Sequence, residues 1–246
     1  MTTPAFMVIA HRGASSYAPE NTLAAFALAL QMGVRHIELD VDLTSDGHIV
    51  VIHDDTVDRT TNGSGPVTSH TLAALRGFDA GSSFGATFAG ERIPTFDEVL
   101  ERYKGRVHIH TEIKGHSPSL SQRTADLIRK HGMEKQVTIT SFQNMRLEEM
   151  RAYAPELPTG WLVVEVSDAI IAQARAMGLT QVCPRANTVT PELVRRLHAA
   201  GFVARAWGVT TEELMQQVVQ AGADGMTVNF PDKLVAYLNS HEYQWV

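Results

Sequence analysis

Two short stretches carry acids at alternate positions. In His36-Ile37-Glu38-Leu39-Asp40-Val41-Asp42 and in Val107-His108-Ile109-His110-Thr111-Glu112-Ile113-Lys114, polar and apolar residues take turns. Successive side chains of a strand point to opposite faces. Glu38 and Asp40 therefore share one face, while Ile37, Leu39 and Val41 share the other. His108, His110, Glu112 and Lys114 likewise share a face of the second strand. If the two strands are neighbours, Glu38, Asp40 and Glu112 converge. Unit charges ~4 Å apart repel by about 4 kcal/mol per pair at an effective dielectric of ~20. Protonation, Lys114 or a bound cation must offset that. An all-oxygen set prefers a hard divalent cation, Mg²⁺ or Ca²⁺, over zinc. The plainer alternative is that one acid simply pairs with Lys114 or Arg12.

His11 ends an apolar run in Ala10-His11-Arg12-Gly13, and His53 ends another in Val51-Ile52-His53-Asp54. Two histidines beside a metal can serve as general acid and base, because imidazole titrates near ~6.5. Arg12 has the fork to hold two phosphate oxygens. His48, His70, His116, His131, His198 and His241 read as surface or core residues. His36, His108 and His110 read as inward residues below the site.

The elements that must position these groups are legible as rhythm. Eight short runs, rich in β-branched residues, occupy 7–10, 35–41, 107–113, 136–141, 160–164, 181–184, 203–207 and 225–228. Amphipathic stretches separate most of them. Leu23, Phe26, Ala27 and Leu30 fall on one helical face, with Asn21 or Thr22 as the N-cap. Leu193, Val194 and Leu197 follow Thr190-Pro191, a cap and a first-turn proline. Gly33, Gly105, Gly132, Gly178, Gly201 and Gly222 each stand between a helical pattern and a strand, where helices end. The repeat implies parallel strands with crossover helices, and eight of them an α/β (β/α)₈ TIM barrel with its site at the C-terminal strand ends. An open doubly wound sheet is the alternative, without a Gly-x-Gly-x-x-Gly to favour it. One run breaks the rhythm: 49–53 follows 35–41 after a turn at Asp46-Gly47. So short a link predicts an antiparallel excursion, opening a small insertion after the second barrel strand, approximately 44–93, within one catalytic domain 1–246. Insertions of that length are usually lids or binding loops.

Composition sets the broad class. The chain has 246 residues, 44% hydrophobic and 20% charged, with a net charge of −6. That offers no basic footprint for nucleic acid or anionic membrane. A single cysteine, Cys183, precludes an intramolecular disulfide and fits a reducing, cytoplasmic location. The N-terminus, Met-Thr-Thr-Pro-Ala-Phe, lacks a signal-peptide pattern, and no apolar run suits stable membrane insertion. Cys183 reads as an inert buried thiol rather than a nucleophile. Tyr243 and Trp245 either reach a partner subunit or fold back on the barrel; oligomeric state is left open.

In order, His11-Arg12-Gly13, Ala18-Pro19-Glu20-Asn21-Thr22, Glu38-Leu39-Asp40-Val41, Asp46-Gly47, His53-Asp54 and Asp58-Arg59-Thr60-Thr61-Asn62-Gly63 resemble the glycerophosphodiester phosphodiesterase family. Glu112-Ile113-Lys114, Ser141-Phe142, Trp207 and Ala223-Asp224-Gly225 extend the likeness along nearly the whole chain. The resemblance implies a TIM-barrel hydrolase of glycerophosphodiesters, yielding glycerol 3-phosphate and an alcohol. It carries metal binding onto Glu38, Asp40 and Glu112, acid–base catalysis onto His11 and His53, and phosphate contact onto Arg12 and Lys114. Trp207 would line the glycerol side, with barrel packing as its plainer role. There are two departures. Val228-Asn229-Phe230-Pro231 stands where the family often has Thr-Asp before the proline, and Gly-Val-Thr follows Trp207 in place of Thr-Val-Asn. Both are expected to lie away from the metal and histidine set. A lysophospholipase D on the same scaffold is a competing reading, with Phe84 and Phe88 in the loop 82–89 admitting an acyl chain. Packing of those rings as the insertion meets the barrel is preferred. A barrel that binds phosphodiesters without turnover is disfavoured because no candidate residue is lost. A sugar-phosphate isomerase would rest on fold alone.

Overall fold

The structure is a computed structural model, and it describes residues 5–246. The opening residues behind the signal-peptide expectation lie partly outside that range. Among the described residues nine strands form: β1 (Met7–His11), β2 (His36–Leu43), β3 (Ile49–Val51), β4 (His108–Ile113), β5 (Val137–Ser141), β6 (Thr159–Val163), β7 (Gln181–Pro184), β8 (Val203–Val209) and β9 (Gly225–Val228). Eight are parallel neighbours in the order β1-β9-β8-β7-β6-β5-β4-β2, and β1 pairs with β2 to close a TIM barrel. The ninth, β3, runs antiparallel on β2, with Val41 opposite Val51 and Leu43 opposite Ile49. The excursion is thus present but shorter than 49–53. Ile52 N–H turns back to Asp40 C=O at 3.0 Å, and His53 sits beyond the strand.

The helices are α1 (Leu23–Gln31), α2 (Leu72–Leu75), α3 (Phe96–Tyr103), α4 (Leu120–His131), α5 (Asn144–Tyr153), α6 (Asp168–Ala176), α7 (Pro191–Ala199), α8 (Glu212–Gln220) and α9 (Pro231–Ser240). Thr22 caps α1, accepting from Ala25 N–H. The buried stripe of α1 is Ala25, Phe26 and Ala29, with Leu23 and Leu30 only flanking it. The face is rotated from the expected one because small residues let this helix approach closely. At Gly13, φ +82°, an added Cβ would lie 2.6 Å from Ala25, so only glycine fits there. Thr190 and Pro191 start α7 as expected. A reciprocal cap between Thr95 and Glu98 starts α3.

The main core fills the layer between strands and helices, and Ile37, Leu39, Val41, Ile109 and Ile113 belong to it. The barrel axis is polar instead: Glu38, Asp40, His110, Glu112, Thr138, Thr140, Arg205 and Thr227 are buried there. The insertion between β3 and α3 packs around its own small cluster, including Val57, Val67, Leu75 and Ile93. Phe84 and Phe88 lie outside it. They pack edge-on with each other, and Phe84 is exposed, so the preferred packing role is not what they do. The C-terminus folds back: Phe6 N–H donates to Gln244 C=O, Val8 N–H to Val246 C=O and Val246 N–H to Phe6 C=O, and Trp245 Nε1 donates to Asn239 Oδ1. Among the described residues no helix is long and apolar enough to cross a membrane.

Candidate active site

The register Glu38–His110 and Asp40–Glu112 between β2 and β4 puts the three acids side by side. One oxygen from each lies within 4.8 Å of the others, and all three residues are buried. Burial, then Asp40, pushes Glu112 up to about 7; burial, Asp40 and Glu112 raise Glu38 well above the carboxylate range. Asp40 Oδ1 is buried with no hydrogen-bond partner among the described residues. A desolvated, acceptor-only oxygen beside two other carboxylates is the donor set that a hard cation satisfies. The cluster can hold a metal ion.

Two residues with left-handed backbones hold these acids. Arg12, φ 55°, donates its backbone N–H to Glu38 at 3.0 Å, and Asn21, φ 58°, donates Nδ2–H to Asp40 at 2.9 Å. Such conformations are costly outside glycine and cluster at functional sites. Asn21 is therefore no N-cap. The Arg12 side chain is already engaged by carboxylates, donating to Glu20 at 2.9 Å with Nε 3.2 Å from Asp40. The Nε contact lacks hydrogen-bond alignment.

His11 projects from the end of β1. Its Nδ1 lies 2.6 Å from Asn229 Oδ1, and its Nε2 is 3.9 Å from Glu38. An amide oxygen only accepts, so Nδ1 carries the proton and Nε2 faces the acids. Burial, then Arg12, pushes this imidazole down to about 4, although 31% of the side chain still meets water and tempers the effect. Asn229 thus touches a histidine of the set, contrary to the expectation that the segment after β9 stays clear. It is 218 positions from His11 in sequence, and barrel closure alone brings it there.

On the opposite side of the acids, His53 Nδ1 lies 2.5 Å from Asp54 Oδ1, and Lys114 Nζ is 3.0 Å from His53 Nε2 and 3.5 Å from Glu112. Arg59, from the insertion, binds Asp54 through Nε and Glu20 through both Nη atoms. Its hydrogen bond, more than that of His53, holds Asp54 well below the usual carboxylate range. Against the cost of burial, Arg59 and Arg12 bring Glu20 down to about 2. In the sequence, Glu20, Asp54 and Arg59 stand within the motifs with no local sign that they pair. No periodicity could have paired residues 39 positions apart across an insertion.

Trp207 donates Nε1–H to Val163 C=O at 3.0 Å and meets Phe142 edge-on at 4.8 Å. His11, Arg12, Glu38, His53, Glu112, Lys114 and Trp207 line one cleft of about 310 Å³. A larger groove of about 630 Å³, between the insertion and α3–α4, contains none of them. Chemistry, not size, marks the site. Below it, His36 contacts His110 at 3.1 Å and stacks on His108. His108 reaches Thr138 at 2.8 Å. These three histidines form a neutral floor: burial lowers His36 and His108 to about 4 and also holds His110 well below the usual imidazole value.

Residues 11–233 match the family described as glycerophosphoryl diester phosphodiesterase. The chain is 40% identical over 233 residues to a glycerophosphodiester phosphodiesterase of Caldanaerobacter subterraneus subsp. tengcongensis, covering 93% of this chain and 96% of the relative. It is 32% identical to one of Bacillus subtilis, covering 92% and 84%. A phosphodiesterase of Oleispira antarctica, solved in complex with the product sn-glycerol 3-phosphate, superposes with a TM-score of 0.90 at 29% identity, covering 95% of this chain and 96% of that one.

Proposed function

Because this chain belongs to the glycerophosphoryl diester phosphodiesterase family, we propose that it hydrolyses glycerophosphodiesters to glycerol 3-phosphate and an alcohol. The observation that carries the reading is the convergence of Glu38 and Glu112 with His11, Arg12, His53 and Lys114 in one cleft, with Asp40 buried against the two glutamates.

We assign metal binding to Glu38, Asp40 and Glu112, with Mg²⁺ or Ca²⁺ as the cation their oxygens favour. A bound cation supplies Lewis-acid polarisation of the phosphoryl oxygens. Arg12 and Lys114 stabilise the negative charge that develops there, worth most in a site shielded from water. Of His11 and His53, one takes the proton of the nucleophile and the other returns a proton to the departing alkoxide. Asn229 and Asp54 orient the two rings by accepting from Nδ1, leaving each Nε2 toward the cleft. Arg59 positions Asp54 and Glu20. Trp207 and Phe142 form the apolar wall against the carbon skeleton of the substrate.

The lone, buried thiol of Cys183 suits a reducing compartment, and we place the enzyme in the cytoplasm, acting in glycerol and lipid metabolism. The test is release of glycerol 3-phosphate from glycerophosphocholine, first in EDTA and then with Mg²⁺ or Ca²⁺ restored. Cation-restored turnover is expected. No turnover with either cation would remove the proposal.

A further inference from the structure

Arg205, on β8, has no role in the scheme above. It is 1% exposed and lies two residues before Trp207, so both side chains face the barrel axis. Among the described residues, its Nε and Nη2 have no hydrogen-bond acceptor. The groups beside it are the Cys183 thiol, which burial pushes up, and the His110 ring, which burial pushes down. Neither offers a negative charge. A buried guanidinium with two donors unmet, and only a weakly accepting thiol beside it, is among the costlier things a fold can hold. Aliphatic residues would fill the same space at less cost, so an acceptor supplied by a ligand gives the arginine a purpose.

Arg205 lines the same cleft as the acids, with Thr140, Phe142, Leu162, Trp207 and Thr227. Four steps along the closed sheet separate β8 from β4, so it stands across the eight-stranded barrel from Glu112 and Lys114. A substrate whose phosphate met Arg12, Lys114 and a cation on the acids would lie against one wall, and the group attached to it would extend toward Trp207, Phe142 and Arg205 on the other. Thr140 Oγ1 there is also buried without a partner.

We propose that Arg205, with Thr140 and Thr227, is a specificity-determining site for the free 1,2-diol at the glycerol end of the substrate. This rests on the proposed phosphodiesterase activity. The guanidinium donates to the two hydroxyl oxygens, and the threonines accept the hydroxyl protons. A neutral diol suits this floor because each hydroxyl can both accept and donate. An acyl chain on either hydroxyl removes a donor and adds bulk at the buried end. The site therefore selects deacylated diesters over lysolipids.

The test compares binding of glycerol 3-phosphate and propyl phosphate, which lacks both hydroxyls, by calorimetry with Mg²⁺ present. The wild type should favour glycerol 3-phosphate, and Arg205→Met should shrink that preference by about tenfold to 100-fold while propyl phosphate affinity holds within about threefold, the range for losing hydrogen bonds to a charged group. The ratio does not depend on how much of the variant is folded. Arg205→Lys, which keeps the charge and loses the fork, should shrink it less and serves if the methionine variant is insoluble. An unchanged ratio in both variants, or equal weakening of both ligands, overturns the diol site. Failure of the wild type to hydrolyse glycerophosphocholine would instead overturn the activity on which it rests.

Discussion

Lys114 Nζ lies 3.0 Å from His53 Nε2. An ammonium has only donors, so His53 Nε2 must offer its lone pair and its proton must sit on Nδ1, toward Asp54. The relay Asp54–His53–Lys114 therefore spans from the insertion to β4 and ends 3.5 Å from Glu112. His53→Ala should lower kcat by about 10²–10⁴, the usual worth of a general acid or base. Asp54→Asn should cost less and leave the fold intact. Turnover of His53→Ala within a few fold of wild type would dismiss the two-histidine scheme.

The acids predict a linked dependence on cation and pH. Glu112 is raised to about 7, and Glu38 is raised as well. A carboxylate raised on folding stabilises the protein fully below its unfolded pKa and loses that contribution as pH rises through the folded value. Metal-free protein should therefore melt at a lower temperature at pH 8 than at pH 6. Saturating Mg²⁺ or Ca²⁺ should abolish the drop, and binding near pH 6 should release protons. An equal drop with and without cation, read by calorimetry, would show that the acids hold none.

Asn21 reaches Asp40 from a strained backbone. Removing a group that orients a ligand typically costs tenfold to about 100-fold in metal affinity. Asn21→Ala should show that loss by direct titration, with a melting temperature in excess cation close to wild type. Unchanged cation affinity would reduce Asn21 to a structural contact.

His108 is lowered to about 4 by desolvation. The unfolded chain takes up its proton near ~6.5, so the native state loses stability as pH falls from there toward 4. At pH 5 the contribution lost is up to about 2 kcal/mol relative to pH 7. Urea unfolding at the two pH values should show a smaller difference for His108→Gln than for wild type. Equal differences would place the acid sensitivity elsewhere.

The sequence by itself determined the barrel and the acids. A two-residue period decides which side chains face inward wherever a strand forms, and glycines between helical patterns and strands mark a parallel crossover design. Hence Glu38, Asp40, Glu112, His11, His53, Arg12, Lys114 and Trp207 could all be named from local pattern and motif, and the structure brings them into or beside one cleft. What only the tertiary structure decided depends on closure and on contacts across long separations. Asn229 meets His11 because β9 closes against β1. Asn21 leaves the helix cap for Asp40 because the turn after β1 is left-handed. Arg59 joins Glu20 to Asp54 because the insertion folds over the barrel mouth. Arg205 looked like one more polar position in a β-branched run. That two of its donors go unmet is a property of the enclosed barrel axis, where eight strands together decide what each side chain can reach.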